Sequence, residues 1–254
     1  MTLADGRAAF VKTRRETIPG EYAAEAAGLR WLAEPGHVRT PAVLEQDECY
    51  LTLEWIERGA LSADGAEQLG RGLAETHLAG AAQFGAPPGA PEDTGFGSLR
   101  LPNGPAPDWP SFYAEQRLLP LLALARERGA ISSAGARAVD AVCERIEHLC
   151  GPPEPAARLH GDLWGGNVMA DADGNAWLID PSAYGGHREI DVAMLRLFGA
   201  PSDRIFDAYE ETAPLAVGWR DRVELYQLAP LLVHAVLFGG SYGAAAERAA
   251  SHYG

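Results

Sequence analysis

Leu159 to Asp191 reads LHGDLWGGNVMADADGNAWLIDPSAYGGHREID, and this stretch decides the fold. Three of its residues have separate chemical jobs. Asp162 stands five residues before Asn167, and Asp180 follows thirteen residues after that. A carboxylate in the first place accepts a hydroxyl proton, while an amide and a second carboxylate hold Mg²⁺ against phosphate oxygens. That ordered set is what phosphoryl transfer requires. Gly161 lets the backbone turn tightly, so that the Asp162 carboxylate projects into a cleft. Gly165-Gly166 permits the bend toward Asn167, and Asp180 closes the apolar run Trp177-Leu178-Ile179, a strand-end mount for a metal ligand. Gly, Asp, Asn and Pro also favour ordinary turns, and HGD alone would say little. The full spacing is specific. Asp162 is therefore read as the base, with Asn167 and Asp180 as a sparse Mg²⁺ set of the kind that ion prefers.

Working outward, the N-terminal part supplies a partner for those residues. Of twenty-one basic side chains only Lys12 is a lysine. Where arginine stands everywhere else, the exception points to a site that needs a compact ammonium. Lys12 closes a predicted strand over Ala8 to Lys12, and Glu25 lies on a helix predicted over Glu21 to Glu34, where Tyr22, Ala26, Leu29 and Leu32 share one face. A strand lysine that touches the phosphates of ATP and is held by a helix glutamate suits the same chemistry; an exposed surface pair is the bland alternative. Further strands are predicted at Ala42 to Leu44 and Tyr50 to Trp55. Leu53-Glu54-Trp55-Ile56 then leads into a hinge, which sets backbone groups at Glu54 and Ile56 against the adenine edge.

Beyond Ile56 the pattern turns helical, over about 62–81, 109–128, 133–149, 188–198, 202–212 and 219–248. Residues 85–110 are rich in Pro and Gly without a period and read as a long surface loop. Short strands at 158–159, 168–169 and 176–179 bracket the catalytic residues. The expected architecture is α+β and two-lobed: a small β-rich nucleotide-binding lobe over 1–56 and a larger helical lobe over 57–254, with the site in the cleft.

Composition excludes several classes. A formal net charge of −14 argues against nucleic acid or an anionic membrane as partner. No apolar run is long enough to span a bilayer, and the start MTLADGRAAFVK has no signal-peptide core. Cys49, Cys143 and Cys150 form no CxxC, so packing in a reducing cytoplasm is expected for them. A monomer or homodimer is expected. Among softer candidates, His160 reads as a hydrogen-bonding loop residue, and Trp164 as core or as a face for a sugar-like substrate. Asp191 reads as a helix-start residue or a brace for the catalytic loop. Tyr226 and His234 read as core.

Taken together the chain resembles the fructosamine (ketosamine) kinases, a branch of the aminoglycoside and choline phosphotransferase group with a protein-kinase-like fold. The resemblance runs from about Asp5 to the C-terminus. It rests on FVK at 10–12, AEAAGLRWL at 24–32, LTLEWI at 51–56, LGRGLAETH at 69–77 and DWPSFYAEQRLLP at 108–120. It continues through LHGDLWGGN at 159–167, DPSAYGGHREIDVAM at 180–194, LFG at 197–199 and YQLAPLLVHAVLFGGSY at 226–242. LWGGN and YGGHREID discriminate, because aminoglycoside phosphotransferases usually carry Asp-Phe rather than Asp-Pro at the metal site. The resemblance implies ATP- and Mg²⁺-dependent phosphorylation of the 3-hydroxyl of a free or protein-bound ketosamine, fructosamine or ribulosamine. It places Trp164, His187 and Arg188 on the substrate side. A phosphotransferase of the aminoglycoside or choline kinase type, and a catalytically impaired nucleotide-binding relative, fit the same residues. One departure stands out. MTLADG matches the middle of the family's second strand and its turn, and no GxGxxG precedes Lys12. The first strand and Gly-rich phosphate loop are therefore expected to be missing, leaving an unpaired sheet edge.

Overall fold

The computed structural model describes residues 1–3, 5–16, 18–96 and 98–254. The N-terminal part is a three-stranded antiparallel sheet, β1 (Ala9–Thr13), β2 (Val43–Gln46) and β3 (Tyr50–Glu54), in the order β1-β3-β2. Register pairs Lys12 with Leu51 and Ala9 with Glu54. The helix α1 (Glu21–Ala33) lies between β1 and β2 in sequence and packs Tyr22, Ala26 and Leu29 on Leu51 and Leu53. Burying each such aliphatic side chain contributes about 1.5–3 kcal/mol, which holds the lysine strand and the glutamate helix together. The outer edge of β1 is partly covered by the chain's own start. Met1 and Ala9 exchange backbone bonds, and Leu3 N donates to Arg7 O.

The rest is mostly helical. It contains α2 (Ala63–Ala79), α3 (Trp109–Tyr113), α4 (Leu119–Glu127), α5 (Ser133–Glu144) and α6 (Ile146–Leu149). After these come α7 (Glu189–Leu197), α8 (Arg204–Thr212), α9 (Val223–Phe238) and α10 (Tyr242–Ser251). No helix among the described residues is long and apolar enough to cross a membrane. Two strand pairs are set among these helices: β6 (Ala157–Leu159) with β9 (Tyr184–Gly186), and β7 (Val168–Ala170) with β8 (Ala176–Leu178). Ser62 fixes α2 to the second pair: its Oγ accepts from Gly65 N as the helix cap and donates to Gly174 O in the β7–β8 turn. The main core runs through Phe112, Leu118, Leu121, Val139, Leu225 and Leu232.

Two expectations are corrected, and one strand is added to them. Residues 85–110 are not structureless: β4 (Asp93–Phe96) and β5 (Leu99–Pro102) pair antiparallel within them. Alternation in Leu99-Arg100-Leu101 buries both leucines. Arg117, 1% exposed, anchors this hairpin by donating to Pro102 O and Asn103 Oδ1, with Phe112 and Tyr184 rings against its guanidinium. The single helix expected over 219–248 is a 3-10 turn followed by α9 and α10. Gly239 and Gly240 have φ of +66° and +64°, conformations that end a right-handed helix. Tyr184–Gly186, which carries no alternating pattern, is a strand because it completes the ladder with β6.

Candidate active site

The catalytic loop leaves β6 at Leu159 and is held from below by one carboxylate. Asp191, fully buried on α7, accepts from His160 N at 2.7 Å on Oδ2 and from Gly161 N at 2.9 Å on Oδ1. His77 on α2 adds a third bond, Nε2 to Asp191 Oδ2 at 3.2 Å, while its Nδ1 lies 2.8 Å from the Tyr209 hydroxyl on α8. The partners fit a chain in which Tyr209 O–H donates to Nδ1 and Nε2–H donates to the carboxylate. Burial raises the Asp191 carboxyl, but His77 and the loop amides outweigh it and hold the group below its usual range. Of the two roles open from sequence, Asp191 takes the bracing one. His160 is buried, with Nε2 2.9 Å from Ile179 O, and burial lowers its pKa, so it ties the loop to the Asp180 strand as a neutral ring. Gly161 has φ +82°, and a Cβ there would lie 2.1 Å from Ser182 O. No other residue fits.

That brace presents Asp162 half-buried at the cleft. Burial, with Asp180 and Asp191 nearby, pushes its carboxyl up to about 6 despite the bond from Asn167. Asn167 Nδ2 donates to Asp162 O at 2.8 Å and Oδ2 at 3.1 Å. Its nitrogen is thereby committed, and Oδ1 is left as the atom open to a metal. Asp180 follows β8 by two residues and has φ +54°, a positive value for a non-glycine residue. Its Oδ1 accepts from Lys12 Nζ at 3.0 Å, and Lys12 also donates to Glu25 Oε2 at 2.7 Å. Burial opposes the lysine's charge, but the two carboxylates outweigh it and raise its pKa. The expected Lys12–Glu25 pair is formed, and through Asp180 it reaches the catalytic half.

The Lys12–Asp180 pair lies on the wall between two cavities, both of which it lines. One, about 400 Å³, is an apolar slot walled by Phe10, Leu53, Ile56, Met169 and Ile179, with Glu54 at the turn. Glu54 also bonds Ala42 through its backbone and its carboxylate, which stiffens this edge. The other, about 290 Å³, holds Asp162, Asn167 and Trp164. Asn167 and Asp180 on its wall are hard oxygen donors. No group of three or more His, Cys, Asp or Glu able to hold a metal occurs among the described residues, so two protein ligands plus substrate oxygens fit Mg²⁺ better than a closed protein cage. A larger cavity, about 540 Å³, lies between Gly36–Arg39 and α2 and contains none of these groups.

Trp164 is 40% exposed, with its ring edge-on to Phe198 at 6.2 Å. A Cβ on Gly166 would meet that ring at 2.2 Å, so glycine is what lets the indole lie over this position. The indole is a wall of the second cavity, not core. His187 and Arg188, expected on the substrate side, are not brought to the cleft and line neither cavity. β9 carries the chain away from Asp180 to the opposite end of its ladder. There Arg188 forms a two-point pair with Glu154, at 2.7 and 3.0 Å, and donates to Ala213 O and Pro214 O. His187 is 2% exposed and stacks on Tyr226. Residues without an assigned role in the sequence reading complete the second cavity: Arg14, Glu21, Asp93, Asn103 and Ser182. The hairpin delivers Asp93, and Ser182 Oγ donates to Gly95 O to hold it. No spacing rule links them to Asp162.

Comparison with known proteins places the chain in a family. The fructosamine kinase family profile matches residues 1–253. A probable ketoamine kinase of Enterococcus faecium is 35% identical over 247 residues, spanning 95% of this chain and 86% of that protein. A chloroplastic protein-ribulosamine 3-kinase of Arabidopsis thaliana is 34% identical over 250 residues, 95% of this chain and 74% of that protein. The crystal structure of a candidate fructosamine-3-kinase from Thermobifida fusca superposes with a TM-score of 0.92 at 47% identity, covering 99% of this chain and 87% of that one. A choline kinase from Streptococcus pneumoniae, at a TM-score of 0.58, 14% identity and coverage of 96% and 85%, shares the protein-kinase-like fold alone. With the family profile matched over residues 1–253 and a probable ketoamine kinase 35% identical over 95% of the sequence, the chain belongs to the fructosamine kinase family.

Proposed function

We propose that this protein transfers the γ-phosphoryl group of ATP to the 3-hydroxyl of a ketosamine, fructosamine or ribulosamine, free or attached to a protein. The observation that carries the reading is the Lys12–Asp180 ion pair, at 3.0 Å, on the wall shared by an apolar slot and the Asp162 cavity. Adenine takes the slot against the Glu54–Ile56 backbone, and the phosphates run past Lys12. The sugar lies in the second cavity with Trp164 beneath it. Asp162 accepts the proton of the attacking hydroxyl as the new O–P bond forms and the bond to the ADP oxygen breaks, so proton and leaving group part on opposite sides. Mg²⁺, held by Asn167 Oδ1 and Asp180, would neutralise the charge on the phosphates. A carboxyl near pKa 6 is ionised at neutral pH, yet basic enough to take the proton. Residues 1–56 act as the nucleotide-binding lobe and 57–254 as the catalytic lobe of a cytoplasmic enzyme. Family membership and the ketoamine kinase relatives support this over the aminoglycoside or choline kinase reading. The test is ADP release with MgATP and a panel of fructosamine, ribulosamine, kanamycin and choline. Turnover confined to the ketosamines is expected. No turnover on either ketosamine, or faster turnover on kanamycin or choline, refutes the proposal.

A further inference from the structure

The β6–β9 ladder has two ends. Leu159 and Tyr184 pair at the catalytic end, and Ala157 and Gly186 at the other. A separate cavity of about 410 Å³ opens at that second end, and it shares no lining residue with the cleft cavities. His187 lines it, 2% exposed, and its Nε2 has no hydrogen-bond partner. Nδ1 accepts from Glu189 N at 3.3 Å, so the ring proton sits on Nε2. The nearest carboxylate oxygen, Glu154 Oε2, is 3.9 Å away, beyond hydrogen-bond reach and held by Arg188. A buried N–H donor without an acceptor is rare in folded proteins and calls for an explanation.

The cavity's chemistry limits what can answer it. Phe84, Trp109 and prolines at 107, 110, 152 and 153 make apolar walls. Glu154 is neutralised by its pair with Arg188, which leaves Asp108 and Glu147 as the carboxylates without an ion pair, and among the described residues no Lys or Arg lines the cavity. Burial lowers the His187 imidazole to about 4, so the ring is neutral and adds no positive charge at physiological pH. An anion is disfavoured and a cation favoured. We propose that this cavity is a second small-molecule site, distinct from the phosphotransfer cleft, for an amphipathic amino alcohol. Its oxygen accepts from His187 Nε2–H, its ammonium faces the carboxylates, and its apolar body lies on the Trp109 and proline walls. The volume falls within the range typical of small-ligand pockets.

Histidine-ring NMR tests this on the full chain, with the His187 signals assigned by His187→Phe. The probes are phenylethanolamine, phenylethanol, which lacks the amine, and phenethylamine, which lacks the oxygen. Phenylethanolamine should shift the His187 signals saturably, and each control should bind roughly threefold to tenfold more weakly, the value of one polar contact. Because His187→Phe removes a buried residue, the second variant is Asp108→Asn combined with Glu147→Gln. Asp108 caps α3 through Ser111 N at 2.8 Å, a bond asparagine keeps. This variant should weaken phenylethanolamine by a similar factor and leave phenylethanol unchanged. Equal binding of all three probes, unmoved His187 signals at saturating probe, or a soaked crystal with only an ordered water on Nε2 overturns the proposal.

Discussion

Replacing Asp162 with asparagine should cut turnover severely and raise stability at the same time. The folded protein raises this carboxyl from 3.8 to about 6 through burial and two neighbouring carboxylates. Between those values the folded state binds more protons than the unfolded one, so wild-type stability falls as pH rises through the window. The full penalty is present above about 6. At about 1.4 kcal/mol per pH unit the upper bound is about 3 kcal/mol. Asp162 keeps some contact with solvent, which discounts the figure to about 1–2 kcal/mol. For a chain of this length that is a Tm gain of roughly 2–8 °C. The asparagine oxygen can still accept from Asn167, so no bond need be lost. Thermal melts at pH 8 and pH 4 (two arbitrary points, roughly bracketing the window) should show the gain at the first and little of it at the second. Steady-state kinetics should show a loss of roughly a hundred- to ten-thousandfold in kcat, and wild-type kcat/KM should fall as pH drops through about 6. A variant within tenfold of wild type, or one less stable than wild type at the higher pH, refutes the assignment of Asp162 as a desolvated base.

The brace beneath it predicts the opposite sign. Asp191→Asn keeps the shape but offers one oxygen where His160 N and Gly161 N use two, so one buried N–H meets an amide NH₂; a loss of about 2–4 kcal/mol by denaturant unfolding is expected, with kcat falling too. Gly161→Ala puts a Cβ 2.1 Å from Ser182 O at φ +82°, and should cost at least about 2 kcal/mol in the same assay. Lys12→Met leaves the largely buried Glu25 without its cation; kcat/KM for ATP should drop roughly a hundredfold, read by a coupled ADP assay. Trp164→Ala removes the exposed indole from the second cavity, and should raise KM for the ketosamine about tenfold while KM for ATP stays within about twofold.

The contrast between what was legible in the sequence and what was not follows the kind of force at work. Lys12, Glu25, Asp162, Asn167 and Asp180 were legible because each is tied to a local backbone rule. A strand end, a helix face, a glycine turn or a fixed spacing along one loop needs no knowledge of the rest of the chain. The α1 face and the strands of the first sheet were legible for the same reason: their apolar periods are local. His77 and Tyr209 were not. Their hydrogen-bonded chain to Asp191 joins positions 114 and 132 residues apart from His77, and only tertiary packing of α2, α7 and α8 brings them together. The β4–β5 hairpin was hidden because Pro and Gly mask a short alternation, and because its anchor, Arg117, sits inside a helical run with no sign that its guanidinium would be buried on carbonyls. His187 and Arg188 misled for a physical reason as well. The family resemblance set both on the substrate side, yet β9 turns the chain away, and Glu154, thirty-four residues before Arg188, takes the guanidinium. Local rules thus locate the residues proposed to act on the phosphates. The braces that hold those residues still, and the walls that choose the acceptor, are long-range.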